Sequence, residues 1–150
     1  MNEPYCLAMV LCDAVHVDPA TKKFTILGTF STFAAHNYPV KVAFSIYYAV
    51  TDGLGDVTMR VQLVDASVGF VDATDGEQNQ DRVFSLTSHH MFPNPLAVIE
   101  GGIGVECLLL SKGLYHCELW ANDNLLMTRR FTASEIGDRD TELPRTAEAE

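Results

Sequence analysis

The chain reads as an all-β protein, a two-layer antiparallel β-sandwich of about eight strands, and three observations predict it. Apolar residues recur at every second position over several runs, most clearly across residues 40–51. Clusters of Asp, Asn, Gly and Pro punctuate those runs. No helical period persists over ten or more residues, and no segment repeats. Strands with one apolar face each must bury those faces against one another, which takes two packed sheets.

At 150 residues, with 47% hydrophobic and 20% charged positions, the composition is that of one globular domain, which at this size buries roughly two-thirds of its unfolded surface. We place the domain at residues 1–133. From Ser134 the chain turns acidic, with six acids against two bases, and residues 134–150 are expected to form a disordered tail. No apolar run approaches the roughly 20 residues that span a bilayer. Glu3 stands where a signal peptide carries positive charge, and Leu11 precedes Cys12 where lipoprotein processing needs a small residue. These features predict a cytoplasmic protein. Twenty acids against 10 bases give a net charge of −10, a surface that repels phosphate backbones and anionic membranes.

Residues 5–13 form the first strand, with Leu7, Met9 and Leu11 on one face. Ala8, Val10 and Cys12 on the other face are apolar too. A strand apolar on both sides is normally covered on both, by another segment of the chain or by another subunit. Residues 16–23 are a turn begun by Asp18-Pro19, and residues 24–33 are a long second strand in which Gly28 marks a bulge or a close backbone contact. After a loop at 36–39, residues 40–51 place Val42, Phe44, Ile46, Tyr48 and Val50 inward. Across Asp52-Gly53-Leu54-Gly55, Val57, Met59, Val61 and Leu63 repeat the pattern, so the two strands are expected to pair as a hairpin. A short strand over 68–71, a polar loop over 73–81 and a strand over 82–88 follow. Pro93 and Pro95 make 89–95 a loop or edge crossing, and 96–110 holds a strand broken at Gly101-Gly102.

Residues 112–131 are the best-specified local structure. Tyr115, Cys117, Leu119 and Ala121 share one face, and His116, Glu118 and Trp120 the other; Asn122, Asp123 and Asn124 tolerate the left-handed backbone that reverses the strand. The order Gly113, Tyr115, Cys117 matches the penultimate strand of immunoglobulin-like sandwiches, where a tyrosine sits two residues before a cysteine, though any antiparallel hairpin also accounts for it. The four cysteines, Cys6, Cys12, Cys107 and Cys117, read as free buried thiols. A Cys12–Cys117 bridge is the alternative in an immunoglobulin-like sandwich.

Three stretches, YCLAMVLCD (5–13), DPATKKFTILGTFSTF (18–33) and GLYHCELWANDNLLMTRR (113–130), together resemble a bacterial family of short proteins known only as a domain of unknown function. The resemblance extends to about Thr132 and implies a small all-β sandwich. It brings no activity, cofactor or catalytic residue.

No assembled chemistry stands out. His89 and His90 are adjacent, so on extended chain they point to opposite faces, and His16, His36 and His116 are scattered without metal-ligand spacing. The acidic loop at 73–81 has oxygen ligands suited to calcium but fails the helix-loop-helix spacing, and a solvated loop is the expected reading. Gly101-Gly102-Ile103-Gly104 lacks the strand-turn-helix context of a phosphate cradle, and no nucleophile elbow occurs. Cys12 with His16 has the residue types of a nucleophile and base, but a buried strand-end thiol is the commoner case. We therefore expect a non-catalytic binding or structural module without a cofactor or metal, working by protein–protein contact or self-association. Its interaction surface would comprise Ala8, Val10, Cys12, His116, Glu118 and Trp120. The alternative is a small-molecule or glycan-binding module centred on Trp120.

Overall fold

A computed structural model describes residues 3–66 and 82–136. The segments expected as a strand at 68–71 and an acidic loop at 73–81 lie outside the described residues, as does the tail from 137 onward. The described residues form a β-sandwich of nine strands, β1 (Tyr5–Val17), β2 (Phe24–Thr29), β3 (Thr32–Ala35), β4 (Val40–Thr51), β5 (Gly55–Asp65), β6 (Arg82–Phe92), β7 (Ile99–Leu109), β8 (Gly113–Ala121) and β9 (Asn124–Glu135). One sheet has the order β2-β1-β4-β7 and the other β3-β9-β8-β5-β6.

The alternation read from the sequence fixes what is inside. Val42, Phe44, Ile46, Tyr48 and Val50 of β4 face Val57, Met59, Val61 and Leu63 of β5 across the interior, joined by Tyr115, Cys117 and Leu119 of β8. Each such side chain removed from water contributes about 1.5–3 kcal/mol. Tyr115 stacks on Phe131 with centroids 5.4 Å apart, and its hydroxyl donates to the Ser111 carbonyl at 2.6 Å. The β8–β9 hairpin turns at Asn122 (φ 48°) and Asp123 (φ 71°) as expected. Asn122 also docks on β5, donating from its N–H to the Thr58 carbonyl at 2.8 Å and accepting from Thr58 N–H at 3.0 Å.

Several expectations are corrected. β4 and β5 are not a hairpin: β4 pairs with β1 and β7, β5 with β6 and β8. Two alternating strands either pair edge to edge or pack face to face, and period two alone does not distinguish these. Here Asp52–Leu54 carries the chain across the interior, with Gly53 closed against the Phe92 ring. The long strand expected over 24–33 is two strands in two sheets. β2 pairs with β1, Phe30 and Ser31 cross the sandwich, and β3 then runs parallel to β9, so the sandwich is mostly, not wholly, antiparallel. β6 continues through His89–His90 to Phe92, because only the prolines beyond it forbid pairing. β7 is unbroken, its glycines giving room for neighbours: a Cβ at Gly101 would meet the Tyr48 ring at 2.7–3.1 Å and one at Gly102 would meet Val15 at 2.9 Å. Ser134 and Glu135, assigned to the tail, still belong to β9.

β1 also departs from its reading. It runs to Val17, beyond the expected end at Asp13. A bulge between Cys6 and Ala8 turns Cys6 inward and leaves Leu7 52% exposed, although strict alternation had Leu7 inside. β1 leaves β4 after the Cys12–Ser45 pair, while β2 stays with it to Val17. At the bend, Gly28 adopts φ +72°, and a Cβ there would collide with the Asp13 carboxylate, the close contact its position suggested. The β1–β2 hairpin beyond this point is an arm laid on the outer face of the four-stranded sheet, with Val15 over Gly102 and Phe24 edge-on to Tyr47 at 5.6 Å.

Candidate binding surfaces

The two groups of residues singled out from the sequence lie on opposite outsides of the molecule. Ala8, Val10 and Cys12 sit on the outer face of the four-stranded sheet, opposite Ala49, Tyr47 and Ser45 of β4. His116, Glu118 and Trp120 sit on the outer face of the five-stranded sheet, half-buried. They are two surfaces, not one.

On the first surface, Cys12 at the bend of the arm is fully buried, and its thiol donates to the Ser45 carbonyl at 3.6 Å. Ala8 and Val10, further from the arm, are half-buried. Beside them Tyr5 is 60% and Leu7 52% exposed. β2 reaches only as far as Cys12, so among the described residues Tyr5–Leu11 has a strand neighbour on one side alone. That free edge is partly capped: Leu11 carbonyl accepts from Phe30 N–H at 3.2 Å, and Met9 carbonyl from Arg129 Nε at 2.8 Å. Among the described residues the doubly apolar strand is thus covered by its own chain at one end and only half-covered at the other.

The second surface is a closed polar ladder. The Arg60 guanidinium lies 4.8 Å over the Trp120 ring and reaches Asp123 at 3.6 Å. Arg60 Nε donates to Gln62 Oε1 at 3.1 Å, Gln62 Nε2 to Glu118 Oε1 at 2.9 Å, and Trp120 Nε1 to the same carboxylate oxygen at 3.0 Å. Beside it is a hollow of about 230 Å³ lined by Thr58, Arg60, Thr87, Trp120, Asn122 and Asp123. Arg60 was legible only as an outward polar residue; that it pairs with Trp120 follows from the β5–β8 register, which no local pattern announces.

The histidines stand apart, as adjacent residues on a strand must. His89 Nδ1 meets Thr58 Oγ1 at 3.2 Å on the outside. His90 Nε2 turns inward, 3.0 Å from Ser88 Oγ and 3.3 Å from Tyr48 Oη, with burial and then the His89 charge lowering its pKa. A Ser–His contact invites a hydrolytic reading, but among the described residues no carboxylate orients the other ring nitrogen. Nor do three or more His, Cys, Asp or Glu among the described residues gather as metal ligands. All four thiols are free, and Cys12 and Cys117 cannot meet because one points out of its sheet and the other into the interior. Burial pushes every one of them up: Cys6 and Cys12 above their ordinary value, Cys107 to about 11 and Cys117 to about 12. That is opposite to the depressed pKa of a nucleophile, so the Cys12–His16 pairing has no electrostatic basis.

Among the described residues no helix is long and apolar enough to cross a membrane. No curated protein matches the chain. A family profile described as "Family of unknown function (DUF6941)" matches residues 7–134, from Leu7 within β1 to Ser134 within β9, with the arm, the crossover and the closing hairpin inside it. The chain, an all-β sandwich throughout its described residues, therefore belongs to the DUF6941 family of unknown function.

Proposed function

We propose that the protein is a non-catalytic binding module that works by protein–protein contact, with a second copy of the chain as partner at the bare end of β1. One observation carries this reading. The arm covers the apolar strand at Cys12 and leaves Tyr5, Leu7, Ala8 and Val10 accessible or half-buried beside an edge with no strand neighbour among the described residues. Monomers cover or blunt such edges, and a two-fold axis beside β1 lays the apolar strip of one copy on the same strip of the other. β9 climbs beside β1, with Arg129 at Met9 and Thr132 tied to the Ser31 carbonyl.

Light scattering during gel filtration tests the reading. The wild-type chain elutes as a dimer, and Leu7→Lys together with Val10→Lys converts it to a monomer with an unchanged circular-dichroism spectrum. A wild-type chain that stays monomeric at high concentration overturns it.

We also read the sandwich as immunoglobulin-like and the protein as cytoplasmic. Support for the first is the parallel β3–β9 pair at the end of a five-stranded sheet, together with Tyr115 bonding back to Ser111 two residues before Cys117. Support for the second is four unpaired thiols. The acidic surface argues against nucleic-acid and anionic-membrane partners. A second reading, a small polar ligand or glycan in the hollow beside Trp120, is favoured by that concavity; Arg60 already occupies a ring face, so such a ligand must displace it, and quenching of Trp120 fluorescence would report this.

A further inference from the structure

β1 and β4 are paired only as far as Cys12 and Ser45. Beyond that rung the arm departs and β4 continues from Phe44 back to Val40 with β7 as its one strand neighbour among the described residues, so β1 and β2 split from β4 and β7. The split opens a wedge-shaped cavity of about 140 Å³ between the sheets. Its floor is a trio of rings packed edge to face, Phe30, Phe44 and Phe131, with centroids 5.4–5.9 Å apart. Phe33, Val42 and Leu109 form its walls. An apolar cavity of about 150 Å³ accepts a benzene-sized guest, so this one takes a phenyl ring or short alkyl group and is too small for a lipid tail.

The mouth is not apolar. Asp13 stands at it, held over Gly28 by the bend of the arm, and its carboxylate makes no hydrogen bond or ion pair among the described residues. From Asp13 a shallow groove runs across the outer face past Ala43, Ser45 and Gly104 to Glu106. Among the described residues no lysine or arginine lines either the cavity or the groove; Lys41 lies further along β4 and is exposed. A hydrophobic slot with carboxylates at its entrance, on a chain of net charge −10, selects a guest with an apolar body and a cationic head.

We propose that the split between β1 and β4 is a binding site for a small amphipathic amine, its aryl or short alkyl group on the Phe30–Phe44–Phe131 floor and its ammonium beside Asp13. This is independent of self-association at the far end of β1.

Three matched probes test it: phenethylamine, 2-phenylethanol and phenylacetate, titrated into the full-length ¹⁵N-labelled chain at low salt and neutral pH. Amide shifts centre on Asp13, Phe30, Phe33 and Val42, and nuclear Overhauser contacts join the probe's ring protons to Phe30 and Phe44. The amine binds about five-fold tighter than the alcohol, the order of one exposed ion pair, and the acid binds weakest. Asp13→Asn, an exposed position, brings the amine to the alcohol's affinity and leaves the alcohol unchanged. Equal affinity for all three probes, or shifts centred elsewhere, overturns the proposal. So does the absence of any shift at on the order of 10 mM amine, an affinity too weak for a specific site.

Discussion

On the outer face of the five-stranded sheet, Arg60, Gln62, Glu118 and Trp120 satisfy one another in a ladder anchored to β5 and β8. The outer face of the four-stranded sheet is built from Ala8, Val10, Cys12, Ala43, Tyr47 and glycines, and is covered in part by a hairpin folded back on it. A polar face whose groups are already partnered gains little from a new ligand, since each new hydrogen bond replaces an existing one. An apolar face half under an arm leaves hydrophobic surface in water, and a carboxylate without a partner among the described residues. On the proposal that the protein works by binding, this difference favours the arm side over the face of the single tryptophan.

Three experiments break or sharpen that contrast. The largest effect belongs to the interior that both faces share. The folded Cys117 thiol ionises only near pH 12, against an ordinary value of 9.0, because burial disfavours the thiolate. Its contribution is intact below pH 9 and is lost as pH climbs toward 12, by about 4 kcal/mol across the window. Urea midpoints measured against pH fall over that range, and Cys117→Ala flattens the fall; an equally steep fall in the variant refutes the assignment.

Next is the arm. Gly28→Val forces a β-branched residue into φ +72° and against Asp13, which costs about 2–4 kcal/mol in urea denaturation. Lifting the arm also speeds alkylation of Cys12 while Cys117 stays slow, because only local opening is needed. Equal acceleration at both thiols means the arm and the sandwich open together, and the contrast fails. The smallest effect is on the polar ladder. Trp120→Ala removes the cation–π contact and costs about 1 kcal/mol, and in a double-mutant cycle with Arg60→Ala the coupling is about 0.5–1 kcal/mol. A coupling near zero marks the stacked pair as incidental.

Much of the fold was legible because alternation is local. β4, the inward faces of β5 and β8 and the Asn122–Asp123 reversal follow from residues within one strand or turn. What was not legible depends on residues far apart. Nothing within 24–33 says that the chain changes sheets at Phe30, since Phe24–Thr29 and Thr32–Ala35 alternate alike and find different partners. The exposure of Leu7 hinges on one bulged residue, and the site at Asp13 on where β1 and β4 part. His116, Glu118 and Trp120 were placed on a common outward face by parity, correctly. Their partners Arg60 and Gln62 come from a strand more than fifty positions earlier.

The parallel pairing of Thr32–Ala35 with Thr132–Glu135 joins segments about 100 positions apart, the costliest kind of contact to form early. During synthesis β3 cannot take up this pairing until β9, about 100 residues later, has been made. The crossover then acts as a clasp that can close only once β9 exists.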